Sequence, residues 1–120
     1  MVNLDTHILV LLLAGELDSA ELRCLGSNEL AISDIVLWEL AKLIQMGRLK
    51  MDLDHPTVRS FLRRLTVIPI SLEIARRSTQ LDFSSDPADE IIAATSLVEN
   101  IPLLTRDWRI RRSRLVPLAT

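Results

Sequence analysis

The sequence predicts a three-layer α/β/α fold with a mostly parallel central sheet, and three observations support this class. Short apolar segments alternate with helical segments along nearly the whole chain. No internal repeat and no low-complexity stretch interrupts this alternation. The length of 120 residues suffices for one hydrophobic core and is short for two ordinary domains. We therefore expect residues 1–120 to form a single domain.

The predicted elements follow one another in strand-and-helix order. The strands cover residues 2–4, 30–32, 67–70 and 101–104, with a further edge strand at 115–118. The helices cover residues 8–13, 18–25, 34–46, 56–65, 72–81 and 87–99. Gly15, Gly26 and Gly47 are typical stop signals for helices. Asp86 followed by Pro87 is a favoured way to begin one.

Composition bears on the cellular setting of the protein. The longest apolar run, residues 8–14, is far shorter than the ~20 residues that a membrane-spanning helix needs. Asp5 stands where a signal peptide would carry a basic residue. We therefore expect a cytoplasmic protein without a membrane segment. The single cysteine, Cys24, can form neither an internal disulfide nor a multi-thiolate metal site.

Charge is unevenly distributed along the chain. Up to Val58 there are four basic and nine acidic residues, whereas the remainder has ten basic and seven acidic residues. The basic residues near the carboxyl end form one cluster: Arg106, Arg109, Arg111, Arg112 and Arg114. Such a cluster is either a solvated surface or a contact to phosphates that adds affinity without regard to sequence.

Acidic residues occur where ligands bind in parallel sheets, beyond the carboxyl ends of the strands. Asp5 follows the first strand, Asp107 follows the strand at 101–104, and Asp89 lies in the first turn of a helix. Glu39 lies on the flank of its helix, roughly 110° from the centre of the apolar face. Oxygen ligands of this kind suit Mg²⁺ or Mn²⁺, and no Cys or His stands at a spacing that would suit Zn²⁺.

Structural roles are also open to these acids. Asp89 could interact with the helix dipole, Asp107 could cap a short turn, and Glu39 could pair with Lys42. Asp5 is harder to explain in this way, because Asp is depleted from strands. His7 and His55 are isolated in the sequence, so we assign them no ligand role.

Four blocks of the sequence resemble the successive signatures of the PIN-domain family, in the right order and over almost the entire chain. They are Leu4-Asp5-Thr6-His7, Ala31-Ile32-Ser33 leading into Leu37-Trp38-Glu39-Leu40, the run from Asp86-Pro87-Ala88-Asp89-Glu90 to Thr95, and Leu103-Leu104-Thr105-Arg106-Asp107. By length and by the Trp38-Glu39 block, the chain is most similar to VapC-like toxins of type II toxin–antitoxin systems.

The resemblance implies a PIN-like fold and a metal-dependent ribonuclease that cleaves RNA phosphodiester bonds. It implies an acidic site formed by Asp5, Glu39, Asp89 and Asp107, with Mg²⁺ or Mn²⁺ as cofactor. It also implies an antitoxin partner and a homodimer. Two departures concern positive charge near this site: Glu90 stands where relatives commonly have Arg, and Ser84 and Ser85 stand where many have a basic residue.

For the reaction, we expect Asp5 with Asp89 or Asp107 to bind the metal, while Glu39 completes the shell or orients a water. The candidate substrate-binding residues are Thr105, Arg106, Arg109, Arg111 and Arg112. One alternative is a catalytically inactive PIN-like module for RNA binding or protein assembly. Another is a phosphatase or receiver-type domain, which ranks lower because the predicted later strands contain no Lys.

Overall fold

A parallel sheet forms the centre of the computed structural model, which describes residues 1–120. Its four strands are β1 (Val2–Leu4), β2 (Leu30–Ser33), β3 (Thr66–Ile68) and β4 (Leu103–Leu104). They lie in the order β3-β2-β1-β4, and every neighbouring pair is parallel. Parallel neighbours require crossover connections, and helices provide them here.

Seven helices surround the sheet. They are α1 (Thr6–Ala14), α2 (Ser19–Leu25), α3 (Asp34–Gln45), α4 (Pro56–Arg63), α5 (Leu72–Arg77), α6 (Pro87–Glu99) and α7 (Trp108–Arg111). None of them combines the length and the apolar composition that crossing a bilayer requires.

The two faces of the sheet are covered by different helices. Side chains alternate between the faces along a strand. Asn3 points towards α6, because its side-chain amide donates to the Ile92 carbonyl and to Ser96 Oγ at 3.3 and 2.9 Å. Val2 and Leu4 therefore point to the opposite face, where they are buried in the main hydrophobic core. The predicted α/β/α class with a parallel sheet is thus confirmed.

Two strands run directly into helices, and this determines where the site forms. Asp5 caps α1 immediately after β1, and Ser33 caps α3 immediately after β2. Both side chains accept a hydrogen bond from a backbone N–H in the first turn of the helix that they cap. Both helices thus begin at the carboxyl edge of the sheet.

Several predicted boundaries are wrong, each for a local reason. β3 ends at Ile68 and excludes Ile70, since Pro69 between them has no N–H to donate to a neighbouring strand. The helix predicted to reach residue 81 ends at Arg77, where Ser78 and Thr79 hydroxyls donate back to backbone carbonyls.

The carboxyl-terminal region also differs from the prediction. The strand predicted at 101–104 is reduced to Leu103–Leu104. No strand forms at 115–118, where Leu118 makes only an isolated bridge to Leu103. The short helix α7 was not predicted; it begins at Trp108 and is capped by Asp107, whose carboxylate accepts hydrogen bonds from the Arg109 and Ile110 N–H groups.

Candidate active site

Asp5 is the most buried of the candidate acids, with 2% of its surface exposed. Its Oδ1 accepts a hydrogen bond from the Thr6 N–H at 2.8 Å. Its Oδ2 accepts one from the Thr105 hydroxyl at 2.6 Å. The carboxylate is thereby held at a fixed orientation at the junction of β1 and α1.

Thr105 connects Asp5 to Asp107 at the end of β4. While its hydroxyl donates to Asp5, its oxygen accepts a hydrogen bond from the Asp107 N–H at 3.0 Å. Asp107 uses Oδ1 to cap α7, at 2.8 Å from the Arg109 nitrogen. Its Oδ2 makes no hydrogen bond to the protein. Asp107 therefore combines the capping role considered from the sequence with one free oxygen.

Glu39 reaches the site from α3, and its Oε1 accepts a short hydrogen bond from the Thr6 hydroxyl. The alternative pairing with Lys42 is absent, since Lys42 donates to Gln45 instead. Burial raises the pKa of Glu39, the Thr6 hydroxyl opposes this, and the negative charges of Asp89 and Asp5 raise it further. Glu39 is thus electrostatically coupled to two of the other acids.

Asp89 lies in the first turn of α6, where its Oδ2 accepts a hydrogen bond from the Ser85 hydroxyl at 2.8 Å. Burial raises the pKa of Asp89, the Ser85 hydroxyl opposes this, and the charges of Asp5 and Asp107 raise it further. Asp89 is thus electrostatically linked to Asp5 and Asp107.

The structure brings Asp5, Glu39 and Asp89 into one open cavity of about 240 Å³ at the carboxyl edge of the sheet. Asp107 does not line this cavity but is close enough for its charge to act on Asp89. Larger clefts exist elsewhere on the molecule. The smaller cavity is the candidate active site, because three of the residues that line it carry carboxylates.

The donor chemistry of the cavity fits a hard divalent cation. One oxygen each of Glu39, Asp89 and Asp107 makes no hydrogen bond to the protein and could coordinate a metal. Oxygen donors and excess negative charge suit Mg²⁺ or Mn²⁺. No three acidic, His or Cys side chains lie close enough together to hold a metal as they stand. Coordination would therefore require side-chain adjustments or water ligands.

Two side chains in the cavity were not assigned a role from the sequence. His7 Nε2 accepts a hydrogen bond from the Arg106 N–H at 3.1 Å, and His7 Nδ1 lies 3.7 Å from Asp5 Oδ2. The position of His7 two residues after Asp5 is the feature of the sequence that could have indicated its place in the cavity. Arg48 lines the same cavity, following the left-handed turn at Gly47. No local sequence pattern indicates that the Arg48 side chain lies beside the carboxylates of this cavity.

Two of the five candidate substrate-binding residues have other contacts in the structure. Thr105 is buried beneath Asp5 and is unavailable to a substrate. Arg106 donates from Nε and Nη2 to the two carboxylate oxygens of Glu21, both at 2.7 Å. We therefore correct the assignment of Thr105, whose buried hydroxyl is committed to Asp5 and Asp107. Arg106 forms a bidentate ion pair but keeps a free Nη1 on a half-exposed side chain, so its contact with a substrate stays a prediction.

The remaining three candidates differ in availability. Arg111 donates to the Thr105 carbonyl at 3.2 Å and to Thr120 at 2.8 Å, so its NH1 group is partly committed. Arg109 and Arg112 form no salt bridge and lie over the exposed ring of Trp108. These two remain candidates for contact with a phosphate.

The residues that depart from the family pattern also contact each other. Ser85 donates through its hydroxyl to Asp89 and through its N–H to Glu90 Oε2, the latter at 3.3 Å. Glu90 thus holds the loop before α6 in place of an arginine near the acids. Arg48 is the only basic side chain other than His7 that lines the acidic cavity.

Glu39→Gln is expected to stabilise the metal-free protein by about 1 kcal/mol at pH 8, a typical magnitude for one substitution. Because the pKa of Glu39 is raised above its ordinary value of 4.5, the folded state binds more protons than the unfolded state above that pH. The free energy of unfolding therefore decreases as pH rises above 4.5 and Glu39 loses its proton. Gln carries no charge at any pH, so the Glu39→Gln protein does not lose this stability. Thermal melts in EDTA at pH 5 and pH 8 measure it.

The matched control for Glu39 is Glu16→Gln, since Glu16 is exposed in the loop after α1. We expect this control to leave both melting temperatures nearly unchanged. A Glu39→Gln protein that is less stable than the parent at pH 8 would show that the Thr6 hydrogen bond outweighs the repulsion.

Together, the fold and the cavity define an α/β protein with a carboxylate-rich site at the edge of a parallel sheet. The model of the PIN domain family matches residues 2–114, and the chain belongs to this family. The resemblance seen in the four sequence blocks is thereby confirmed.

Within the PIN domain family, the chain is similar to proteins named VapC or VapBC. Ribonuclease VapC22 from Mycobacterium tuberculosis (strain ATCC 25618 / H37Rv) is 32% identical over 94 residues, covering 73% of this chain and 70% of that protein. The structure of VapBC2 from Rickettsia felis bound to a DNA fragment from their promoter matches with a TM-score of 0.73 and 26% identity, covering 98% of this chain and 97% of that chain.

A toxin–antitoxin complex from Klebsiella pneumoniae contains a further similar chain. It matches with a TM-score of 0.73 and 24% identity, covering 100% of this chain and 98% of that chain. At that identity the match supports the fold alone. The family model and the VapBC2 structure agree on a PIN fold of the kind found in VapC proteins.

Proposed function

We propose that the protein is a metal-dependent ribonuclease and the toxin of a toxin–antitoxin pair. The observation that carries the proposal is the convergence of Asp5, Glu39 and Asp89 in one cavity, with Asp107 connected to Asp5 through Thr105. Placing like charges together is costly, and a cation offsets the cost. The similarity to Ribonuclease VapC22 supports RNA as the substrate.

The side chains of this chain have separable roles in the proposed reaction. Asp5, Asp89 and Asp107 would hold Mg²⁺ or Mn²⁺, Asp5 through the oxygen lone pairs that its two hydrogen bonds leave available. When bound, the metal lowers the pKa of a water and offsets charge on the phosphate. Glu39 would complete the ligand set or orient the attacking water. Thr105 fixes the Asp5 carboxylate, and Ser85 fixes that of Asp89. These hydroxyls would reduce the reorganisation needed when RNA binds.

Arg48 would contribute the positive charge that Glu90 does not supply. It lines the acidic cavity and forms no salt bridge, so its guanidinium is available to a phosphate. A charged group facing the scissile phosphate stabilises charge that develops there during cleavage.

Incubation of the purified protein with a mixed-sequence RNA tests the proposal directly. We expect cleavage with Mg²⁺ or Mn²⁺ and none in excess EDTA, with activity restored when metal is added back. Metal should also raise the melting temperature through preferential binding to the folded state. RNA binding without cleavage at any metal concentration would instead favour the inactive PIN-like module.

The proposed partners are an antitoxin and a second copy of this chain. The similarity to chains from toxin–antitoxin complexes supports the antitoxin. Trp38 supports a protein interface, because it is a large aromatic side chain on α3 and 55% of its surface is exposed.

Trp38→Ala is expected to shift the protein towards monomer in sedimentation velocity experiments. The reason is the loss of a large apolar contact from the proposed interface, and aromatic residues are common among those that dominate binding energy. The exposed Leu72 on α5 supplies a control, Leu72→Ala, for which we expect no change. Identical sedimentation of the parent and Trp38→Ala would contradict a dimer interface at Trp38.

A further inference from the structure

Trp108 is the most exposed aromatic side chain in the chain, with 59% of its surface accessible. It directly follows Asp107 at the beginning of α7. The guanidinium carbons of Arg109 and Arg112 lie 5.2 and 5.7 Å from the centre of its ring. Both distances fall within the range of cation–π interactions. The Trp108 indole and the two guanidinium groups thus form a solvent-exposed cluster on the protein surface.

These three side chains form one wall of a cleft of about 400 Å³. The opposite wall comprises Phe83 and Ser84, in the loop before α6. Asp82 connects the loop before α6 to the segment after α7. Its carboxylate accepts hydrogen bonds from the Ser113 hydroxyl at 2.6 Å and from the Arg114 N–H at 2.8 Å. The cleft is therefore held by contacts between the segments that form it.

Each wall of the cleft adjoins one of the acids of the candidate active site, either along the chain or through a hydrogen bond. Trp108 follows Asp107, and Ser84 precedes Ser85, whose hydroxyl binds Asp89. A nucleotide chain with one phosphate at the acids would consequently have a neighbouring nucleotide within reach of the cleft.

We propose that Trp108, with Arg109 and Arg112, forms a stacking platform for one unpaired RNA base beside the acidic cavity. Nucleobases stack on aromatic rings and on guanidinium planes, and the arginine charges would contact the flanking phosphate. The platform rests on the proposed function for its substrate, and it assigns a base-binding site in addition to the acids.

The charges at the cleft favour a nucleotide over an apolar protein surface. Docking an apolar surface would remove water from Arg109 and Arg112 without providing a counter-charge, which is costly. A nucleotide brings both a ring for the indole and a phosphate for the guanidinium groups. Neither arginine has a carboxylate partner in this structure that would already neutralise it.

Tryptophan fluorescence tests the platform, because the chain contains only two tryptophans. Trp38→Phe leaves Trp108 as the only tryptophan. In EDTA, where the proposed cleavage cannot occur, we expect a short mixed-sequence single-stranded RNA to quench its emission. The matching RNA duplex, whose bases are already stacked, should quench far less. The reciprocal variant Trp108→Phe leaves only Trp38, whose emission should be unaffected by either RNA.

Binding measurements by fluorescence anisotropy, using labelled RNA, give the expected magnitude. Trp108→Ala should weaken single-strand binding by about 5- to 100-fold, the range expected for loss of one stacked base. Trp108→Phe keeps an aromatic ring and should retain most of the affinity. Replacing Arg109 and Arg112 together by Gln should reduce the dependence of binding on salt. Gln at Arg59 and Arg63, exposed on α4, provides the matched control.

The outcomes separate the platform from the proposed function. Absence of quenching, or equal affinity of Trp108→Ala and the parent, would overturn the platform, even if the parent cleaves RNA with metal. Quenching by RNA in a protein that never cleaves would keep the platform and reject the nuclease. A blue shift of Trp108 emission that follows protein concentration and not RNA would place the ring in an interface between copies and would also overturn the proposal.

Discussion

Asp5→Asn is expected to reduce metal-dependent RNA cleavage by at least about 100-fold, while the protein remains folded. The reason is that Asp5 is the buried carboxylate to which Thr105 and Thr6 donate hydrogen bonds, so its position is central to the proposed ligand set. Residues that only orient a ligand contribute roughly 10- to 100-fold, and loss of the ligand itself should cost more. Initial rates at saturating Mg²⁺ measure the effect.

Two further variants make the result for Asp5 specific. Thr105→Val removes the hydroxyl that orients the carboxylate and should cost roughly 10- to 100-fold in activity or metal affinity. Asp54→Asn changes an exposed acid before α4 and should have no effect on cleavage. Full activity in a folded Asp5→Asn protein would reject the proposed site.

The metal response distinguishes a ligand from a structural carboxylate. Added Mg²⁺ or Mn²⁺ should raise the melting temperature of the parent, and this rise should shrink in Asp5→Asn. If Asp5 served only as the cap of α1, the substitution would lower stability equally with and without metal, and cleavage would persist.

Glu21→Gln is expected to lower the free energy of unfolding at pH 7 by about 2 kcal/mol, the scale of hydrogen bonds to charged groups. Glu21 is nearly buried and accepts hydrogen bonds from Nε and Nη2 of Arg106, while Gln offers no charge to that pair. Because Arg106 is half-exposed, solvent screens part of the interaction, and we do not expect a larger value. Chemical denaturation measures the difference.

The same ion pair has a predictable dependence on pH. The hydrogen bond from Arg106 lowers the pKa of Glu21 from 4.5 to about 2, with smaller contributions from Asp18 and from the Arg106 charge. For an acid with a lowered pKa, the stability contribution is present above 4.5 and is lost as pH falls towards 2. The stability difference between parent and Glu21→Gln should therefore be full at pH 7 and small near pH 2.

A double-mutant cycle isolates the contribution of this pair. Arg106→Gln alone should also destabilise the protein, and the double variant should be little less stable than Glu21→Gln, because the two substitutions remove the same interaction. Simple additivity of the two single effects would show that Glu21 and Arg106 act independently. Arg106 also donates its backbone N–H to His7, so the cycle should be accompanied by cleavage assays.

The sequence by itself determined the class of fold and most of its elements. Start and stop signals lie at the helix ends: α1 and α2 end directly before Gly15 and Gly26, and α6 begins at Pro87. The order of strands and helices restricted the sheet to a parallel one. Because the carboxyl ends of parallel strands share an edge, Asp5 and Asp107 could be predicted to lie near each other.

Only the tertiary structure decided what the individual side chains contact. Thr105 and Asp5 are 100 residues apart in the chain, and Arg106 and Glu21 are 85 apart. From the sequence Arg106 and Arg109 were equivalent members of one basic cluster, yet one forms an ion pair and the other stacks on Trp108. Capping and periodicity depend on neighbours along the chain, whereas these contacts depend on how β1, α2 and β4 pack, which no local pattern records.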